Sequence, residues 1–374
     1  MLNKFCRFAL FFIFSLVLFS SIGWAQLMKG PTLSADNRVT FQIHAPDASY
    51  VKVINLSDSA ALGAPEYQMT KNSGGDWSVT TESCRPGLHY YEFDINGARV
   101  SDPAAPLYFG WGKWTSCLEV PDANLDFYLP KDVPHGEVRL FWYVAKTTQT
   151  FRKCLVYTPP NYDADTTVRY PVLYLQHGAG ESELGWTMQG KANFILDNLI
   201  AEDKARPMII VMDNGYAARP GAENPQRPRG DDNLFSDLVT KDLIPMIDNQ
   251  FRTIADREHR AIAGLSMGAG QALRIGLGHP ELFASVAGFS GGIRRANIES
   301  SFDGIFRDAE KFNSTFKLFF FGYGTLERGF ESMQAFSDEL RAHGINHVWS
   351  EPVGSHEWQV WRVHLYECAQ HLFQ

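Results

Sequence analysis

A serine between glycines is the residue whose setting most directly suggests chemistry. Ser266 lies in the run 264–268, Gly-Leu-Ser-Met-Gly, which fits the pattern G-x-S-x-G. An apolar run, 261–263, precedes it and a helix-like stretch, 269–274, follows it, which predicts a sharp strand-to-helix turn that exposes the hydroxyl. We therefore predict that Ser266 is a nucleophile. The alternative interpretation is a glycine-rich helix start without chemistry.

A serine hydroxyl needs a base to remove its proton. His356 follows the last predicted strand and precedes the C-terminal helix, which is the chain order expected when a histidine serves such a serine. A carboxylate between the two in sequence should hold the imidazole in the correct tautomer. Glu327, which follows the apolar run 318–321, is the predicted carboxylate. The alternatives are Asp303, Asp308 and Glu331.

Two backbone amides should stabilise the negative oxygen that forms when the serine attacks. The residue after the nucleophile, Met267, supplies one, and the loop 177–180, His-Gly-Ala-Gly, should supply the other through Ala179. The loop lacks the third glycine of a dinucleotide site, and the chain has no Walker A motif. His356 does not begin a zinc-binding H-E-x-x-H motif, because position 360 is valine. We predict no cofactor and no metal.

The elements that position these residues begin at about residue 138. Short apolar runs alternate there with helix-like stretches, which indicates a mostly parallel sheet covered on both faces, with chemistry beyond the C-terminal strand ends. The predicted strands are 171–176, 208–212, 261–264, 283–289, 316–321 and 347–350. The predicted helices include 193–202, 234–250, 269–278 and 329–343.

Residues 27–125 have a different character. Alternating segments such as 39–43 and 77–80 predict short strands, and Asn96-Gly97 after the run 89–95 is a strong hairpin signal. We predict a small all-β, immunoglobulin-like sandwich, a linker over 126–137 and an α/β region over 138–374.

The first residues predict export. Lys4 and Arg7 precede an apolar run, 8–22, that ends in Gly-Trp-Ala at 23–25, which is typical of a signal peptide over 1–25 with cleavage after Ala25. The expected location is the periplasm or the outside of the cell. An uncleaved anchor is the alternative, because the run is nearly long enough to span a bilayer.

Charge and cysteine content exclude some classes of partner. A net charge of −8 offers no basic field for nucleic acid or an anionic membrane, so neither is predicted as a partner. Four cysteines remain after cleavage, and the sequence does not distinguish bridges from free buried thiols. It also leaves the oligomeric state open.

The region from about 135 to 374 resembles the esterase D-like α/β-hydrolases, which include carbohydrate esterase family one and the enterochelin esterases. The resemblance rests on 134–136, 156–162, the 177–178 loop with Trp186, 243–245, the turn at Ser266 and 354–358. It implies an α/β-hydrolase fold and ester hydrolysis through an acyl-enzyme on Ser266. One departure is Gly-Thr-Leu-Glu at 324–327, where the family usually has G-T-x-D.

The N-terminal region resembles the early-set sandwich called carbohydrate-binding module family forty-eight, through 30–31, 41–46, 75–78 and 102–103. The combination resembles feruloyl and acetylxylan esterases, which implies ester-bearing xylan or xylo-oligosaccharide as the substrate. Trp111 and Trp114 could present rings to sugar or form a wall of the esterase pocket, and Trp186 and Trp358 could line an aromatic acyl pocket or simply pack in the core.

Two further functions remain as alternatives. An enterochelin esterase would need a cationic lining for its catecholate substrate. Arg219, Arg227 and Arg229 lie in one loop, but Glu223, Asp231 and Asp232 dilute their charge. A non-catalytic glycan-binding protein on a hydrolase scaffold is disfavoured by the intact serine and histidine.

Overall fold

The computed structural model describes residues 30–58, 60–221, 232–292 and 296–374. The predicted signal peptide, 1–25, lies outside the described residues, as do Arg227 and Arg229. Along the described ranges, an antiparallel β-sandwich is followed by a mixed sheet covered by helices. The predicted fold class is confirmed.

The N-terminal sandwich contains two antiparallel sheets, with strand orders β1-β2-β6-β5 and β4-β3-β7-β10-β9, and with β8 paired to β7. Its strands are β1 (Thr32–Leu33), β2 (Arg38–His44), β3 (Val51–Asn55), β4 (Glu66–Gln68), β5 (Thr70–Lys71), β6 (Asp76–Ser83), β7 (Gly87–Ile95), β8 (Ala98–Val100), β9 (Leu107–Gly110) and β10 (Lys113–Val120).

The sandwich core lies between these sheets and is rich in aromatic rings. Phe41, Tyr91 and Phe93 are fully buried there, because alternate residues of their strands face the opposite sheet. Asn96 and Gly97 both have positive φ, 51° and 91°, in the turn between β7 and β8. This is the backbone that a two-residue hairpin needs, and it explains why Asn-Gly predicted the turn correctly.

The C-terminal sheet has the strand order β11-β12-β14-β13-β15-β16-β17-β18. The β11–β12 hairpin is antiparallel, β12 pairs with β14 antiparallel, and the pairings from β14 to β18 are parallel. The strands are β11 (Glu137–Ala145), β12 (Thr150–Thr158), β13 (Val172–Gln176), β14 (Ile209–Asp213), β15 (Arg260–Gly264), β16 (Ser285–Phe289), β17 (Leu318–Gly322) and β18 (Val348–Ser350). The β11–β12 hairpin was not among the strands predicted from the sequence.

Helices cover both faces of this sheet. They are α1 (Gly185–Met188), α2 (Ala192–Ala201), α3 (Asp232–Asp237), α4 (Ile244–Gln250), α5 (Met267–Gly278), α6 (Ala309–Thr315), α7 (Phe330–Ala342) and α8 (Trp358–His371). A π-helical segment, Leu238–Leu243, joins α3 to α4, so the single helix predicted over 234–250 is continuous but widened. Across the described ranges, no helix combines the length and apolar character that a bilayer crossing requires.

The strands of the sheet are apolar on both sides because both sides are covered. Along β13, Leu173 packs with α2 and α8, whereas Tyr174 packs with the helices of the opposite face. The parallel strands all end at one edge, where their following loops meet. The predicted nucleophile, base, carboxylate and oxyanion loop follow β15, β18, β17 and β13 at that edge.

The sandwich and the C-terminal sheet with its covering helices, hereafter the helical unit, share a buried ion pair. Arg362 of α8 is fully buried and donates to both carboxylate oxygens of Glu119 on β10, at 2.6 and 2.9 Å. It also donates to the Gln189 carbonyl oxygen, and its guanidinium lies 4.4 Å from the ring centre of Tyr128. Tyr128 belongs to the predicted linker, so this segment packs into the core as well as connecting the two units.

The four described cysteines are buried and free. They are Cys84, Cys117, Cys154 and Cys368. Burial raises the pKa of each thiol, which disfavours the reactive thiolate. The sequence left open whether these cysteines form disulfide bridges or stay as free buried thiols, and in the structure they are free buried thiols.

We predict that Glu119→Gln lowers the free energy of unfolding by about 3 kcal/mol, because it leaves a buried guanidinium without its counter-ion. Urea denaturation measures the change. Glu66→Gln is the matched control, because it breaks the Lys52–Glu66 pair, which is largely in solvent, and its effect should be much smaller. Equal effects of the two substitutions would contradict the structural role of the buried pair.

Candidate active site

Ser266 occupies a strained turn between β15 and α5. Its φ and ψ are 52° and −111°, a conformation that non-glycine residues rarely adopt. A Cβ atom on Gly264 would collide with the Gly268 carbonyl oxygen, and one on Gly268 would lie 2.5 Å from the His177 carbonyl oxygen. Both glycines are therefore required by close backbone approach, and the turn projects the serine side chain beyond the edge of the sheet.

The structure brings Ser266, His356 and Glu327 into one hydrogen-bonded chain. The Ser266 hydroxyl lies 2.9 Å from Nε2 of His356, and Nδ1 of the same ring lies 3.0 Å from Oε2 of Glu327. A carboxylate only accepts hydrogen bonds, so Nδ1 carries the proton and Nε2 accepts from the hydroxyl. This arrangement can move a proton from the serine to the imidazole when the serine attacks.

Two donors hold the carboxylate of Glu327 in place. Oε1 accepts from the Ser290 hydroxyl at 2.5 Å and from the Gly324 amide at 2.9 Å, which leaves Oε2 for the histidine. Ser290 lies directly after β16, the strand beside β17, and has a φ of 55°. Ser290 was not among the residues predicted from the sequence, although a polar residue followed by two glycines at the end of a buried strand was a usable signal.

The alternative carboxylates have other surroundings. Asp308 is the N-cap of α6 and accepts from the Lys311 amide, and Glu331 is exposed in the first turn of α7. Asp303 belongs to the short 3₁₀ segment Ser301–Arg307 that precedes α6. The geometry therefore favours Glu327, and its catalytic role remains a prediction.

The loop of His356 is tied to the sandwich through its neighbour. Glu357 is buried, and its Oε1 accepts from the Ser355 amide at 3.0 Å while its Oε2 lies 3.4 Å from Nη2 of Arg85. The imidazole itself packs edge-on against Trp361, with 5.0 Å between ring centres. Glu357 is a second positioning residue that the sequence analysis did not identify.

The loop after β13 is oriented by His177. Burial lowers the pKa of its imidazole to about 4, so the ring is neutral: Nε2 accepts from the Gly215 amide, and Nδ1 donates to the Gly178 carbonyl oxygen, both at 2.8 Å. The Gly178 carbonyl and the Ala179 N–H belong to one trans peptide unit, so they point in opposite directions. The Ala179 amide therefore points away from the His177 ring.

Both predicted oxyanion donors border the serine. Gly178 and Ala179 line the same cavity as Ser266, and a Cβ atom on Gly178 would lie 3.5 Å from Cβ of Ser266. Met267 is the first residue of α5, where a helix amide has no partner within its own helix. These two amides can hold a negative oxygen, and their role remains a prediction.

The chain of hydrogen bonds opens into a cavity of about 630 Å³, hereafter the catalytic cavity. The helical unit contributes Ser266, His356 and Glu327. Its other lining residues include Leu265, Leu326, Arg328 and Trp361. The sandwich contributes a wall that contains Leu56, Ser57, Asp58, Leu88, Tyr90 and Trp111. The catalytic cavity is therefore built by both units.

The two tryptophans predicted to line an acyl pocket have different positions. Trp186 is 1% exposed, does not line the catalytic cavity, and donates its indole N–H to the Gln176 carbonyl oxygen in the core. The structure corrects that prediction, because α1 turns the ring under the sheet edge against Phe289. Trp358 borders the catalytic cavity, but only 2% of the residue is exposed.

Glu181 is a buried carboxyl group beside the oxyanion loop. Its Oε2 accepts from the Gly178 amide at 3.2 Å, and the side chain borders the catalytic cavity. Burial raises its pKa to about 8, against which the hydrogen bonds from Gly178 and Trp358 act only partly. At neutral pH this carboxyl group is therefore mostly protonated and uncharged.

A bound metal has no evident site in the parts of the chain that the structure describes, where no group of three or more His, Cys, Asp or Glu side chains could hold one.

Comparison with known proteins places this geometry among esterases. A model of the esterase family matches residues 145–372. An endo-1,4-beta-xylanase/feruloyl esterase of Xylanibacter ruminicola is 34% identical over 350 residues, which are 92% of this chain and 46% of that protein. The chain thus spans about half the length of this curated relative.

Two solved structures share the fold. A CE1 ferulic acid esterase from Anaeromyces mucronatus, in complex with ferulic acid, has a TM-score of 0.56 and 26% identity, covering 68% of this chain and 98% of that one. The enterobactin esterase of Shigella flexneri, in the presence of enterobactin, has a TM-score of 0.66 at 19% identity, covering 96% of this chain and 99% of that one. The second likeness extends over both units of the fold.

We predict that Glu327→Gln lowers kcat about a hundredfold or more with little change in KM, because the carboxylate stabilises the imidazolium that forms in the transition state. Steady-state kinetics on a soluble ester measures this. The matched control is Glu331→Gln, four residues along and exposed, which should leave kcat unchanged. If Glu327→Gln left kcat unchanged while Glu331→Gln lowered it, Glu327 would not be the carboxylate that serves His356.

We predict that the stability contributed by Glu181 falls as the pH rises from about 5 to about 8. An unfolded glutamate ionises near pH 4.3, whereas the folded carboxyl keeps its proton up to about pH 8, so stability falls by up to about 1.4 kcal/mol per pH unit between these values. Glu181→Gln cannot ionise. Urea denaturation across this range should show that the difference in free energy of unfolding between wild type and variant becomes less favourable to the wild type as the pH rises. A difference that does not change with pH would mean that the pKa of Glu181 is not raised.

Proposed function

Because the chain belongs to the esterase family, we propose that it is a serine carboxylic ester hydrolase that removes feruloyl groups from plant cell-wall xylan, with acetyl groups as the alternative. The observation that carries the proposal is the hydrogen-bonded chain from Ser266 through His356 to Glu327 at the catalytic cavity. The related xylanase/feruloyl esterase and the ferulic acid esterase fold support this choice of substrate.

In the proposed acylation step, Oγ of Ser266 attacks the ester carbonyl carbon while Nε2 of His356 takes the hydroxyl proton. The carbonyl oxygen becomes negative and accepts hydrogen bonds from the amides of Met267 and Ala179. The C–O bond to the sugar then breaks as the imidazolium returns its proton to the leaving hydroxyl oxygen. The product of this step is an acyl ester on Ser266.

Deacylation repeats the same movements with water. His356 removes a proton from the water that attacks the acyl carbon, and then returns it to Oγ of Ser266, which releases the free acid. In both steps Glu327 stabilises the imidazolium. Its own position depends on Ser290 and Gly324, which hold the second carboxylate oxygen.

The size and lining of the catalytic cavity favour an aromatic acyl group. A volume of about 630 Å³ exceeds what an acetyl group requires and lies within the range of roughly 300–1,000 Å³ typical of drug-sized ligands. Leu88, Tyr90 and Trp361 supply apolar and aromatic surface beside the nucleophile. A feruloyl group is therefore favoured over an acetyl group as the acyl part of the substrate.

The enterochelin alternative requires a cationic lining, and the catalytic cavity does not supply one. Asp58, Glu327 and Glu357 line it, against Arg328 as the cationic lining residue within the described part of the chain. Arg219 is exposed and lies outside this lining. The likeness to the enterobactin esterase, at 19% identity, is one of fold.

The remaining features of the proposal come from the sequence. We propose that residues 1–25 direct export to the periplasm or the exterior and that the functional units divide near 126–137. The sandwich is the proposed carbohydrate-binding part. In the structure it also supplies Trp111 and Tyr90 to the catalytic cavity, so the two roles are compatible.

We predict that the wild-type protein hydrolyses methyl ferulate and feruloylated xylo-oligosaccharide faster than acetylated xylan, and enterobactin slowest, because the cavity is large and apolar and Arg328 is the cationic residue of its described lining. Ser266→Ala should lose roughly a million-fold in kcat, as loss of the nucleophile does in other serine hydrolases. Release of ferulate, acetate and catecholate is followed by chromatography. Preference for enterobactin would support the siderophore alternative, and no hydrolysis of any ester would support the non-catalytic one.

A further inference from the structure

A second depression lies beside the catalytic cavity, and aromatic rings from both units line it. This depression, hereafter the aromatic groove, has a volume of about 620 Å³, which is within the range of ligand sites. Its aromatic residues are Phe109 and Trp114 from the sandwich and Trp142, Phe151 and Tyr216 from the helical unit. Nothing in the proposed ester chemistry uses these side chains.

The rings of the aromatic groove are unusually exposed. Trp114 is 50% exposed, Trp142 54% and Phe151 70%, whereas the sandwich tryptophan Trp77 is 6% exposed. Trp142 and Phe151 face each other across the β11–β12 hairpin, with 6.2 Å between ring centres. Large apolar rings grouped at a surface are a recognised mark of a binding site, because leaving them in water is unfavourable.

The aromatic groove adjoins the catalytic cavity, with Glu181 in the lining of both. The Gly112 amide donates to the Gly180 carbonyl oxygen at 2.7 Å, and this contact joins the sandwich loop to the oxyanion loop at the junction of the two depressions. Gly112 and Gly180 line the aromatic groove, their neighbours Trp111 and Ala179 line the catalytic cavity, and Glu181 lines both. A ligand in the groove would therefore lie next to the cavity that contains Ser266.

We propose that the aromatic groove binds the sugar chain of the substrate, as a short run of neutral, β-linked pyranose units, while the acyl group occupies the catalytic cavity. The proposal rests on the proposed function. One face of such a pyranose ring carries mainly C–H groups, which pack against flat aromatic rings, and its rim carries hydroxyl groups. Trp114 and Trp142 both offer such rings in the groove lining, one from each unit.

The polar groups of the groove suit hydroxyl groups rather than a charged polymer. Nζ of Lys153 lies 2.9 Å from Glu183 and 5.9 Å from the ring centre of Trp142, so its charge is already paired. Oη of Tyr216 accepts from the Gly180 amide at 2.6 Å, and its own proton can be donated to a ligand. Paired charges with hydrogen-bonding groups between aromatic rings favour a neutral, polyhydroxylated ligand.

The first test compares two substrates with one acyl group. The measured quantity is kcat/KM on feruloylated xylo-oligosaccharide divided by kcat/KM on methyl ferulate. This ratio should fall about fivefold in Trp142→Ala, and it should fall further in the double variant Trp114→Ala/Trp142→Ala. Leu140→Ala is the matched control: it lies on the same strand, is 54% exposed and is outside the groove lining, so its ratio should stay within about twofold of the wild type. Equal ratios for Trp142→Ala and Leu140→Ala would overturn the proposal.

The second test needs no ester and so separates this proposal from the proposed function. Xylohexaose without acyl groups is titrated into Ser266→Ala protein while the heat of binding is recorded by isothermal titration calorimetry, a signal that does not depend on the tryptophan that is removed. A saturable change should occur in Ser266→Ala and Ser266→Ala/Leu140→Ala and be lost in Ser266→Ala/Trp142→Ala. Binding that survives without Trp142 would overturn the proposal.

Measurements on the wild type, and on its oligomeric state, separate the remaining outcomes. A wild type that binds xylohexaose but hydrolyses no ester would refute the proposed function and leave the groove standing. A protein that hydrolyses methyl ferulate but binds no xylohexaose would refute the groove alone. Light scattering completes the set, because a dimer that dissociates in Trp142→Ala would identify the rings as an interface between two copies and refute the sugar site.

Discussion

The close approach of backbone segments around Ser266 is the constraint on which the site depends. Gly264 and Gly268 have no room for a side chain where β15 turns into α5, and a Cβ atom on Gly291 would collide with the Ser266 carbonyl oxygen. The strained φ of Ser266 persists because strands on both sides surround it. This strained conformation places the Ser266 hydroxyl within hydrogen-bond distance of His356 and leaves the Met267 amide next to it.

Two further layers of contacts keep the reacting groups oriented. Glu327 reaches the imidazole with one oxygen because Ser290 and Gly324 occupy the other. Ser290, at the end of the neighbouring strand, therefore helps to hold the glutamate side chain in place. His177 performs the corresponding task for the oxyanion loop, since its neutral ring receives one amide and fixes one carbonyl.

The association of the sandwich with the helical unit is part of the site rather than an accessory to it. Arg362 is paired with Glu119 across the junction, and Glu357 ties the loop of His356 to Arg85. The same junction supplies one wall of the catalytic cavity and one side of the aromatic groove. Separation of the two units would expose a buried charge and open the catalytic cavity, so we expect them to act as one body.

The sequence by itself determined the local features: the turn at Ser266, the strand–helix alternation, the Asn96-Gly97 hairpin, and the loops that carry His356 and Ala179. These depend on residues close in the chain, where glycine placement and apolar periodicity have direct backbone consequences. Tertiary structure decided what depends on distant contacts. It brought Glu327 to His356, placed Ser290 of another strand beside it, buried Trp186, and put Trp114 and Trp142 in the lining of one groove. These outcomes depend on strand order and unit packing, which are set by the summed burial of many side chains and not by any local pattern.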